Sequence, residues 1–99
     1  MERGELLEKA KEIVTGERQH VYGKPENTFE EIANLWSSYL DTKIEAEEVA
    51  VMMILMKVAR LKASGCKSVD SWVDVAGYAA CGAEIATMQK GRGAADETD

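Results

Sequence analysis

An eight-residue run, Val49-Ala-Val-Met-Met-Ile-Leu-Met56, constrains this chain more than any other feature. It lies in a segment, about Ala46 to Ala63, that lacks Pro and Gly and is rich in Leu, Met, Ala and Lys, so it reads as a helix. Consecutive apolar residues on a helix point in every direction, and a helix that is apolar all round belongs at the centre of a bundle or of an oligomer. The run is far too short to cross a bilayer, which needs about 20 residues.

The segment SVDSWVDVAGYAACGAEI, residues 68–85, is equally apolar from Trp72 onward but contains Asp70 and Asp74. A spacing of four puts the two carboxylates on one helix face, about 40° apart. A buried, unpaired carboxylate costs several kcal/mol, so Asp74 requires a cation, a donor or a wet cleft beside it.

The rest of the chain supplies two more helices. Leu6, Leu7, Ala10, Ile13 and Val14 recur at helical spacing, with Gly16 as the stop. Residues 17–27 form a polar connector, with Gly23 and Pro25 in turn positions. Thr28-Phe-Glu-Glu31 reads as a capping box opening the second helix, which should turn Phe29, Ile32, Ala33, Trp36 and Tyr39/Leu40 inward. Asp41-Thr-Lys43 is a short link, Ser64-Gly65 closes the third helix, and Ser68 caps a fourth that runs to about Gln89. The expected fold is an all-α four-helix bundle in one domain, residues 1–90, with 91–99 as a disordered tail. Two such apolar helices exceed what 99 residues can cover, so the bundle is expected to be completed by homo-oligomerisation, as a dimer or tetramer.

Composition narrows the function. A hydrophobic content of 45% excludes disorder of the whole chain. The net charge of -6 argues against a nucleic-acid polymer, while leaving a small nucleotide open. Cys66 and Cys81 have neither metal nor disulfide spacing and are expected to be free thiols in a reducing cytoplasm. The opening residues lack the pattern of a secretion leader, and no membrane partner is expected.

Carboxylates fall at three places: Glu30/Glu31, Glu45/Glu47/Glu48 and Asp70/Asp74. Converging helical carboxylates can hold Mg2+, which prefers hard oxygen ligands. The simpler reading of Glu30, Glu45 and Glu47 is solvated charge at helix N-termini. Glu48 and Asp74, set against apolar neighbours, are the stronger metal candidates. Lys57 and Arg60 share a face and can hold phosphates, or can pair with Asp70 or Asp74. His20, Tyr22 and Asn27 lie in the connector; a lone His there is ordinarily solvated, but an aromatic ring and an amide can together stack on and read a base. Met52, Met53 and Met56 read as core filler. No nucleophile–base constellation, glycine-rich phosphate loop or zinc spacing occurs.

The stretches RQHVYGKPENTFEEIANLW, EEVAVMMILMKVARL and DSWVDVAGYA, within about residues 17–86, resemble a group of small phage and prophage proteins of unassigned role. That group looks like a branch of the MazG-like all-α nucleotide pyrophosphohydrolases. The resemblance implies an Mg2+-dependent enzyme that cleaves a nucleoside triphosphate, or a modified one, to monophosphate and pyrophosphate. The superfamily carries E-x-x-E on one helix and E-x-x-D on the next. Placed by helix order, the pattern falls on Glu31/Asn34 and Glu48/Val51; placed one helix later, on Glu45/Glu48 and the Asp70/Asp74 helix, where Ser71 takes an acidic position. A hybrid follows, with Glu48 and Asp74 as catalytic metal ligands and Asp70 and Glu31 beside them. Lys57 and Arg60 would then hold phosphates, and His20, Tyr22, Asn27 and Trp36 the base. The missing ligands keep two alternatives in view: a phage protein that binds or sequesters a nucleotide without cleaving it, as in counter-defence, and a structural bundle.

Overall fold

The computed structural model describes residues 1–16 and 24–88. Over these residues the chain forms four helices and no strand: α1 (Arg3–Thr15), α2 (Pro25–Leu40), α3 (Ala46–Ala63) and α4 (Val69–Met88). The class is the all-α one expected. The 91–99 tail, and the end of α4 expected at Gln89, lie outside the described residues.

The closest pair is α3 with α4; α1 packs on α4, and α2 on α3 with a lesser contact to α4. A tight turn makes the α3–α4 hairpin. Ser64 ends α3, Gly65 and Cys66 both take positive φ, and the Cys66 N–H donates to the Leu61 carbonyl at 2.7 Å. The Trp72 indole N–H ties the turn to α4 by donating to the Cys66 carbonyl at 3.0 Å. Ser68 caps α4 as its sequence position predicts, its Oγ accepting from the Ser71 N–H at 3.3 Å. Farther along the hairpin, a Cβ built on Gly82 would come within 2.9 Å of the Ala50 Cβ. Small residues on both helices permit that approach, and it brings the fully buried Val49 and Ile85 into one core with Phe29, Ala33, Ile44 and Cys81.

Three local expectations are corrected. First, α2 begins at Pro25, with Lys24 as its N-cap, so Thr28 lies inside the helix and opens no capping box. Proline has no N–H to lose at the first helical position, and its fixed φ suits the start of a helix. Second, Tyr39 and Leu40 are exposed, at 88% and 55%. The link after α2 folds back instead: the Ser37 hydroxyl accepts from the Ile44 N–H at 2.8 Å, and Ile44 rather than Leu40 plugs that end of the core. Third, Met52 and Met56, read as core filler, are exposed, and α3 is not at the centre of this four-helix unit. Val49, Ala50 and Leu61 face the bundle, while Val51, Met52, Leu55, Met56 and Val58 remain exposed. No described helix is long and apolar enough to cross a membrane.

Candidate functional site

Asp74 finds a cation. Its Oδ2 lies 3.0 Å from the Nζ of Lys57, and the two side chains are only 27% and 16% exposed. The antiparallel hairpin explains the meeting. Ala50 lies against Gly82 near one end, and stepping eight residues back along α4 and seven forward along α3, about two turns on each helix, brings Asp74 beside Lys57. Desolvation of both groups is offset by their attraction, and the pair presents no net charge to its surroundings.

Beside this pair lies a cavity of about 300 Å³ between the four helices, walled mostly by apolar side chains such as Ile13, Phe29, Ile32, Met53 and Val73. The polar residues on its wall are Asp74, Tyr78, Thr28 and Cys81. Phe29 and Tyr78 form a tilted ring pair, centroids 6.3 Å apart, at 38°. Burial pushes the Cys81 thiol above its ordinary pKa, and the negative charges of Glu84 and Glu26 add to the effect. Toward the α3–α4 turn, a shallow hollow is lined by Arg60, Ser64, Ser68 and Ser71, with Ser71 one turn before Asp74 on α4.

The other sequence candidates scatter. Glu48 is exposed at the third position of α3, and its Oε1 accepts from the Glu45 N–H at 2.8 Å in a reciprocal capping box. It stands nine residues before Lys57, about 13 Å along the helix axis from the Asp74 pair. Glu31 on α2 and Asp70 in the first turn of α4 are both exposed. Asn27 is exposed in the first turn of α2, and Trp36 packs against the core without lining the cavity. Arg60 is exposed and faces the serine hollow, while Lys57 pairs with Asp74. His20 and Tyr22 lie outside the described residues. Glu47 Oε1 is buried without a hydrogen-bond partner, at the positive end of the α3 dipole.

This arrangement does not fit Mg2+. Among the described residues no three His, Cys, Asp or Glu side chains group to hold a metal. Asp74 meets an ammonium, and Glu48 caps its own helix. What the sequence reading missed is the apolar cleft, because Phe29 and Cys81 carry no chemical signature. Tyr78 was legible: it lies four residues after Asp74 and therefore on the same helix face.

Comparison with known proteins places the chain among phage products. It is 47% identical over 76 residues to the Gene 55 protein of Mycobacterium phage D29, an alignment covering 77% of this chain and 50% of that protein. To the Gene 55 protein of Mycobacterium phage L5 it is 44% identical over 75 residues, covering 75% of this chain and 47% of the relative. The chain thus spans about half the length of the curated relatives it matches. No solved structure gives a significant match. Residues 5–86 match the model of a domain of unknown function, DUF6378, and the chain belongs to that family.

Proposed function

We propose that the chain is a nucleotide-binding module that holds its ligand without cleaving it. One observation carries the reading: the cavity of about 300 Å³ combines an apolar wall, the Phe29–Tyr78 ring pair and a carboxylate already neutralised by Lys57. Its volume is at the lower end of small-molecule sites. A neutral, flat ring suits such a wall better than an anion does. The rings offer contact to a base, and the Asp74 carboxylate has acceptor sites left for a base N–H. Phosphates would point toward Arg60 and the serine hollow, because Ser71 and Tyr78 are about 10 Å apart along α4, a distance a nucleoside phosphate can span.

The position of Glu48, about 13 Å along α3 from the Asp74 pair and engaged in its own helix cap, favours binding over hydrolysis. The MazG-like resemblance of the sequence supports a nucleotide as ligand, and the phage relatives support a phage-encoded protein acting in an infected host. The chain is also taken as a homo-oligomer, since Val49 and Ile85 are the largest fully buried side chains and α3 leaves an apolar face uncovered.

A thermal-shift screen of ribo- and deoxynucleoside triphosphates in EDTA and in Mg2+, followed by a pyrophosphate-release assay, tests the binding reading. Stabilisation by a nucleotide in EDTA, lost in Asp74→Asn, is the expected result. Pyrophosphate release that requires Mg2+ would establish the hydrolase instead. No shift from any nucleotide at millimolar concentration would leave a structural bundle.

A further inference from the structure

The exposed face of α3 has an internal symmetry that determines what can cover it. Take the direction of Leu55, which is 60% exposed, as the centre of that face. At 100° per residue, Val51, Met52, Val58 and Ala59 all fall within about 60° of it. Glu48 lies seven residues before Leu55 and Lys62 seven after, each within about 20° of the same direction. Both are exposed. The stripe is therefore apolar along its middle, with an anion at its N-terminal end and a cation at its C-terminal end, equally far from Leu55. The bundle-facing residues Val49, Ala50, Lys57 and Leu61 all lie on the opposite side of the helix.

We infer that this stripe is the contact between two copies of the chain, with α3 packed antiparallel on α3 of the second copy about a two-fold axis at Leu55. A two-fold interface must be complementary to itself, so each residue meets the one equally far on the other side of the axis. Under that rule Leu55 meets Leu55, Val51 meets Ala59, Met52 meets Val58, and Glu48 meets Lys62 at both ends. A parallel pairing would set Glu48 against Glu48 and Lys62 against Lys62. The chain as a whole carries a charge of -6, but the stripe holds one anion and one cation, so its self-association is not opposed locally. Glu48, drawn from the sequence as a metal ligand, here caps α3 through one oxygen and offers the other to the second copy's Lys62. A single helix pair buries less than the roughly 800 Å² per partner of a standard interface, so the dimer is a weak and salt-sensitive one.

The inference rests on the self-association reading above, and one experiment separates the two. Sedimentation equilibrium of the whole chain at tens to hundreds of micromolar should show masses rising from 10.9 kDa toward twice that value. Leu55→Asp sets two carboxylates face to face on the axis and should leave a monomer with unchanged helix content by circular dichroism. Glu48→Lys and Lys62→Glu should each weaken the dimer about tenfold, since each replaces two attractive pairs by two repulsive ones. Mixed together, those two variants should dimerise with each other, because attraction is restored at both ends. A wild type that stays monomeric at every concentration would overturn self-association itself. A dimer indifferent to Leu55→Asp, or one whose charge variants fail to pair on mixing, would overturn the α3 geometry while leaving self-association intact.

Discussion

The two apolar helices, α3 and α4, cover their apolar residues by different means. α4 is lined with small residues, and its neighbours come close: Ala50 approaches Gly82, and Val14 Cγ1 lies 3.2 Å from where a Gly77 Cβ would be. Its one inward carboxylate, Asp74, is matched by Lys57 of α3. α3 instead divides its apolar residues between two faces and buries one of them, with Glu48 at the head of the other. A carboxylate in an apolar helix therefore has two quite different meanings here. Asp74 is an interior group that needs its partner, and Glu48 is a surface group that organises a helix end.

The largest effect separating the two regions comes from truncation. Ile85→Ala on α4 removes a side chain that is 2% exposed, and should lower unfolding free energy by about 2–5 kcal/mol in urea titration. Leu55→Ala on the outer face of α3 should change it by no more than about 0.5 kcal/mol in dilute, monomeric samples. Comparable losses at the two positions would mean that the α3 face is covered within the monomer.

Next in size is the close approach of the hairpin. Gly82→Val forces atoms into the space held by Ala50, and overpacking of this kind costs about 1–3 kcal/mol. A variant as stable as the parent would show that α3 and α4 stand farther apart than described.

The ion pair should rank third. Lys57→Met leaves the Asp74 carboxylate without its cation, and should cost about 2 kcal/mol, less than the 3–5 of a fully buried pair because Asp74 is 27% exposed. Asp74→Asn keeps a hydrogen-bond acceptor for Lys57 and should cost less, about 1 kcal/mol. If the asparagine variant were instead more stable than the parent, Asp74 would be a carboxylate held against repulsion, as a metal ligand is before its metal arrives.

The four helices of the described residues, the bounds of α3, the Ser68 cap and the inward set Phe29, Ile32, Ala33 and Trp36 were legible in the sequence, because periodicity and stop signals are local. So was the need of Asp74 for a partner, since burial of a lone charge is forbidden on energetic grounds alone; that Lys57 rather than a metal would answer it depended on the register of the hairpin. The start of α2 was misread because Thr28-x-x-Glu31 mimics a capping box, whereas Pro25 already sets the first turn. The capping role of Glu48 was not legible for a related reason. Its capping box uses Glu45 in place of the usual Ser or Thr, so the pattern looked like a carboxylate cluster. The cleft was not legible at all, since four helices contribute to it and most of its residues are ordinary core types.

The smallest effect concerns the two thiols. Cys66 is exposed on the hairpin turn and Cys81 is buried beside the cleft. At pH 8 an alkylating agent should label Cys66 first and reach Cys81 only as the protein opens. The folded-state pKa of Cys81 is raised, so its contribution to stability is complete below pH 9.0 and is lost as pH rises beyond it. Cys81→Ser should flatten that alkaline loss, which urea titrations between pH 8 and 10 can read. Equal labelling of both thiols in the native protein would contradict the burial of Cys81.

The central claim is that the cleft beside Asp74 takes the ligand and the outer face of α3 does not. Methyl NMR reads the two regions in one spectrum, with each deoxynucleoside triphosphate titrated in turn in the presence of EDTA. The account predicts shifts at Ile32, Met53 and Val73 on the cleft wall, with Val51, Leu55 and Val58 unmoved. Shifts confined to the outer face of α3, or none from any nucleotide at millimolar concentration, would contradict it.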